Sequence, residues 1–180
     1  MKKTLEGTFH MTGRSTPVSI WRGLGWGLIG GLAGTLVMDL GIMGALSAFG
    51  LPALTCFEIV GNTVARFFSI QSMEKAYAIQ MGIATIHFVG PVIGAIFGTA
   101  VARVEALRVN TLKKSILLAI LYVEILSQPL LATTPILLKM PAPATLLWYG
   151  GSFVMHLLLA VVLGIVVGYG MRLATAVSHR

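Results

Sequence analysis

The chain has 180 residues, 56% hydrophobic and 11% charged, with a mean hydropathy of +0.88. Soluble domains carry about 25% charged residues, so no large water-soluble domain fits here, and a single transmembrane domain over residues 1–180 is expected. The net charge of +7 does not signal nucleic acid, because the basic residues flank apolar runs and form no patch.

Met1-Lys2-Lys3 opens as a signal peptide would, but residues 4–19 are polar and mixed. The apolar run that follows is too long for a signal h-region and reads as a retained helix. A membrane helix needs about 20 mostly apolar residues. Four stretches qualify, at about 23–49, 76–102, 115–138 and 148–171. The first holds Asp39, the second His87, the third Glu124 and the fourth His156. The fold class expected is all-α: an integral membrane four-helix bundle of two helical hairpins.

Between the first two spans, residues 55–70 read as a short amphipathic helix. Phe57, Val60, Val64, Phe67 and Phe68 recur at helical spacing, opposed by Asn62 and Arg66. Thr55 and Glu58 have the spacing of a capping box. Two placements stay open: flat in the outer interface, or as a plug over the bundle mouth.

The flanks set the orientation. Lys2, Lys3, Arg14, Arg22, Arg103, Arg108, Lys113, Lys114, Arg172 and Arg180 fall on one side, and Arg66, Lys75 and Lys139 on the other. The richer side is expected to be cytoplasmic, with both termini there. Trp21 and Trp26 then suit the inner interface, and Trp148 and Tyr149 the outer one.

The spans repeat in design. His87 precedes Arg103 by the same sixteen residues that separate His156 from Arg172. Val92 matches Val161, Ile96 matches Ile165, and the stretch ending in Asp39 can be laid on the one ending in Glu124. Sixteen helical residues span about 24 Å, so both histidines are expected at equal depth, with Asp39 near that depth and Glu124 deeper. Asp39 shares a face with Gly31 and Thr35, His87 with Gly90, Gly94 and Gly98, and His156 with Gly164 and Gly168. Such small residues mark helix packing. Glu124 continues into Ser127 and Gln128. The expectation is one polar intramembrane cluster of Asp39, His87, Glu124, His156, Ser127 and Gln128, facing the bundle interior.

An acid at a helix centre costs ~3 kcal/mol, so such residues pair, bind something or carry protons. Three readings fit. The acids can be hydrogen-bonded glue between helices, at ~1 kcal/mol per bond. His87 and His156 can be ligands of a haem b or a metal ion. The staggered groups can conduct protons or another ion. No phosphate loop, His-Glu-x-x-His or Gly-x-Ser-x-Gly occurs, so no catalytic residue is assigned. His10 and His179 lie in polar tails and are read as solvated. Cys56 excludes an intrachain disulfide and reads as a packed thiol.

Ser127-Gln128-Pro129-Leu130-Leu131, then Thr134-Pro135, Pro141, Trp148-Tyr149 and His156-Leu157, are similar to the YagU-like group of small bacterial inner-membrane proteins. His87 with its glycines resembles the same pattern, as does Gly27-Leu28-Ile29-Gly30-Gly31. The resemblance implies an inner-membrane location and a link to acid tolerance, with no ligand or reaction attached. The function expected is that of a polytopic membrane protein without catalytic turnover. It would be an accessory or homeostasis factor, proton-sensitive through its histidines, with the bilayer and a larger membrane complex or its own copies as partners.

Overall fold

The computed structural model describes residues 19–70 and 73–177, with side chains as far as Arg172. His10 and His179, with Lys2, Lys3, Arg14 and Arg180, lie outside the described residues. Among those described there are five α-helices and one short 3-10 turn, and no strand. The helices are α1 (Ile20–Ala48), α2 (Thr55–Phe67), α3 (Lys75–Arg103), α4 (Leu112–Leu138) and α5 (Ala142–Val177). All but α2 are long and apolar enough to cross a membrane, and the chain is a multi-pass membrane protein.

Glycine decides which helices touch. Each glycine costs a water-exposed helix about 1 kcal/mol, but in lipid the backbone must bond internally and helix is retained. What glycine then provides is close approach. Gly23, Gly27 and Gly31 of α1 meet Gly98, Gly94 and Gly90 of α3, backbone against backbone, in antiparallel register. Gly30 and Gly34, on another face of α1, meet Leu163 and Leu159 of α5. Thus α1 is the shared wall between α3 and α5.

The second hairpin closes by similar means. Gly164 of α5 packs on Ile116 of α4, and the Ser115 hydroxyl donates to the Gly164 carbonyl at 2.7 Å. Thr111 caps α4, its hydroxyl accepting from Lys114 N–H at 3.1 Å. The turn into α5 passes through Lys139 in the left-handed region, φ 51°.

Helix α5 starts six residues before the expected 148, at Ala142. Pro143 is tolerated there because the first turn of a helix needs no N–H partner.

Helix α2 takes neither its expected cap nor a free-standing place. Leu54 occupies the cap position, and Thr55 falls inside the helix, its hydroxyl donating to the Pro52 carbonyl at 2.7 Å. Glu58 pairs instead with Lys75, at 3.0 Å. Of the two placements expected, flat in the interface or plugging the mouth, neither describes α2, which packs lengthwise against α3 and α4. Phe57 lies against Gly82 and Gly61 against Ala78, so α2 runs antiparallel to α3 and in the direction of α1. To reach Gly82 the chain must turn back on itself over residues 49–54.

The helices form a ring in the order α1, α3, α2, α4, α5. Helices α3 and α4 barely touch directly, and α2 spans the gap between them. Hydrogen bonds secure that gap: Thr63 of α2 to Thr134 of α4 at 3.3 Å, and Tyr122 of α4 to the Ile93 carbonyl of α3 at 3.1 Å.

Candidate functional site

Two of the side chains expected to cluster meet directly across helices: His87 Nε2 lies 3.4 Å from Asp39 Oδ2 across the α3–α1 contact. Glu124 of α4 is held by Gln128 on its own helix. Asp39 and His87 face each other at the α1–α3 seam, whereas His156 turns into the centre of the bundle. Among the described residues no three His, Cys, Asp or Glu side chains gather where they could hold a metal.

Both histidines are oriented by the same local device. His87 Nδ1 lies 3.0 Å from the Ile83 carbonyl, and His156 Nδ1 lies 2.7 Å from the Ser152 carbonyl. A carbonyl only accepts, so Nδ1 carries the proton in each ring. Each Nε2 is then left for another partner. For His87 that partner is Asp39. At 3.4 Å this is a contact between a carboxyl and an imidazole, a charge pair when the ring is protonated and the acid is not.

The buried acids are incompletely satisfied. Among the described residues Asp39 Oδ1 and Glu124 Oε1 have no hydrogen-bond partner, while Gln128 donates to Glu124 Oε2 at 2.8 Å. Such orphaned atoms are uncommon in folded proteins. Cys56, at the start of α2, lies close enough to Asp39 to feel its charge. Burial first, and the Asp39 carboxylate second, push its thiol up to about 11.

A cavity of about 280 Å³ sits inside the ring, with lining from all five helices. Its walls are mostly apolar, among them Met38, Val60, Ile93, Val123 and Leu159, and its polar lining comes from threonines of α1 to α4 with Ser127, Ser152 and His156. Toward the α3 side Tyr122 packs on Phe97, ring centroids 5.4 Å apart.

Some of this lies beyond the sequence reading. The indole N–H of Trp148, a residue the sequence places at the outer interface, donates to the Leu131 carbonyl at 3.2 Å. The signal was present: Pro135, four residues after Leu131, has no N–H to offer that carbonyl. Gly30 and Gly34 also carry a visible i, i+4 spacing, which marks the α5 contact. The Thr63–Thr134 bond has no comparable sequence signature.

No protein-family model matches the chain, and neither a curated protein nor a solved structure matches it.

Proposed function

We propose that this is a non-catalytic, proton-responsive protein of the bacterial inner membrane, with both termini cytoplasmic and Asp39–His87 as its responsive pair. One observation carries the reading: His87 has its Nδ1 committed to Ile83 and turns Nε2 to within 3.4 Å of Asp39 Oδ2. Gaining or losing a proton on this pair changes the charge at a seam where α1 and α3 meet backbone to backbone. It also changes the field at Cys56, the first turn of α2. Orientation rests on the asymmetry of Lys and Arg, and location on the YagU-like resemblance.

Conduction is the weaker reading. Beyond Asp39, toward Arg22, α1 carries no ionisable side chain, and α3 carries none between His87 and Arg103. The glycine rows along this stretch pack backbone on backbone, which leaves no room for a file of water. Haem or metal ligation is weaker too, since His87 already faces Asp39 and the second histidine belongs to the other hairpin.

The test is ¹⁵N-histidine spectroscopy in nanodiscs from pH 5 to 8. The His87 Nε2 signal should move with pH while Nδ1 stays protonated, and Asp39→Asn should change that profile. Hydrogen exchange in α2 should follow the same pH course. Identical profiles in the native and Asp39→Asn proteins would overturn the reading, as would proton flux into liposomes above the protein-free rate.

A further inference from the structure

We propose that the central cavity binds a neutral, apolar molecule bearing a single hydroxyl group, held between Ser127 and His156. This does not rest on the proton-responsive reading, which concerns the other pair.

Ser127 is the starting point. It lines the cavity, is 3% exposed, and its Oγ has no hydrogen-bond partner among the described residues. The threonines around it differ. Thr35, Thr63 and Thr85 each donate to the carbonyl four residues back, on Gly31, Ile59 and Met81. A buried hydroxyl left without a partner carries a desolvation cost that a ligand can relieve.

His156 supplies the complement. With Nδ1 donating to Ser152, the neutral ring keeps Nε2 as an acceptor, and that atom has no partner among the described residues. The contact of Gly164 with Ile116 fixes the α4–α5 register. Eleven residues on from Ile116 is Ser127, and eleven back from Gly164 is Phe153, three residues from His156. Ser127 and His156 therefore lie within one turn of each other, as a donor and an acceptor on the same cavity.

That combination selects the ligand class. A hydroxyl group both donates and accepts, so it can give its proton to Nε2 and accept from Ser127. A plain hydrocarbon would leave both protein groups unpaired. A ketone would use Ser127 alone. A carboxylate would enter an apolar site beside Glu124 with no cation to meet it. Water needs two to four polar partners and fills only a small part of such a volume. The cavity, at about 280 Å³, is just under the ~300 Å³ at which pockets for drug-sized ligands begin, so the ligand or its buried part is compact. Leu130, 57% exposed, and exposed Thr133 also line the cavity and mark a mouth on the outward face of α4, beside α2. Since α4 is a membrane-crossing helix, the mouth faces the lipid, and the ligand is one that partitions there.

Decan-1-ol, decane and decanoate serve as probes in nanodiscs. Cys56 lines the cavity, so its alkylation by a maleimide at pH 8.5 reports occupancy, and the ¹⁵N signal of His156 Nε2 reports the hydrogen bond. Decanol should protect Cys56 saturably and move the His156 signal, at bilayer concentrations about tenfold below those needed for decane or decanoate. Ser127→Ala, which removes one oxygen and no bulk, should weaken decanol about five- to tenfold and leave decane unchanged. Equal protection by decanol and decane would overturn the proposal. So would an unmoved His156 signal, a Ser127→Ala protein that binds decanol as the native one does, or a cavity that admits water only.

Discussion

His87 reaches Asp39 at 3.4 Å only after its other ring nitrogen has been fixed by the Ile83 carbonyl one turn away on its own helix. The helix therefore sets the ring's tautomer and the neighbouring helix meets the consequence. Asp39→Asn should keep the seam nearly intact, because the amide N–H can donate to Nε2. A loss of no more than about 0.5 kcal/mol is expected in steric-trapping unfolding. His87→Phe should cost more, about 1–3 kcal/mol, because it strands the buried carboxyl.

The α1–α3 seam should be intolerant of a single methyl group. A Cβ on Gly94 would run into the Gly27 carbonyl and the Gly31 backbone, neither of which can rotate away. Gly94→Ala should lower stability by about 1–3 kcal/mol. Gly25→Ala, on the same seam helix but with open space around it, should be neutral or gain up to about 1 kcal/mol. Equal effects of the two would contradict the close backbone approach.

Trp148 and Pro135 should be coupled. Trp148→Phe leaves the Leu131 carbonyl without a donor, at a cost of about 1 kcal/mol. In a Pro135→Ala background the helix supplies its own N–H, and Trp148→Phe should then cost nothing measurable. The double-mutant cycle reads the coupling directly.

How legible each part was follows from the physics that fixes it. Span length and hydropathy are properties of the bilayer acting on each segment alone, so α1, α3 and α4 could be read within a few residues. The glycine rows that face each other, Gly31 with Gly90 among them, were legible because close approach needs small residues at i, i+4. The pairing of the acids was not. Asp39, His87 and His156 share a depth, but which of them meet depends on the rotation of each helix about its axis, and that is set by contacts such as Gly30 on Leu163. The return of α2 onto α3 was hidden for a similar reason. Its apolar face fits lipid as well as protein, and only Gly61 against Ala78 and Gly82 against Phe57 decide for protein.

Cys56 gives a pH prediction outside the membrane-crossing helices. Its thiol is pushed from 9.0 up to about 11, by burial and then by Asp39. Folded protein thus holds this proton more tightly than unfolded chain does. The contribution to stability is whole below pH 9 and is lost as pH rises from 9 to about 11. Maleimide labelling should keep climbing about tenfold per pH unit through pH 9, where an ordinary thiol levels off. Asp39→Asn should speed labelling severalfold at pH 8. A plateau at pH 9 would contradict the environment described.

The polypeptide delivers the two halves of the Asp39–His87 pair at different times. Forty-eight residues separate them, so during synthesis α1 leaves the ribosome with its acid well before α3 brings the imidazole. At that stage the glycine face of α1 also has nothing to close against. A nascent chain stopped after α1 should accordingly insert poorly, and lengthening it past residue 103 should restore insertion, with α1 and α3 entering the bilayer together as one hairpin.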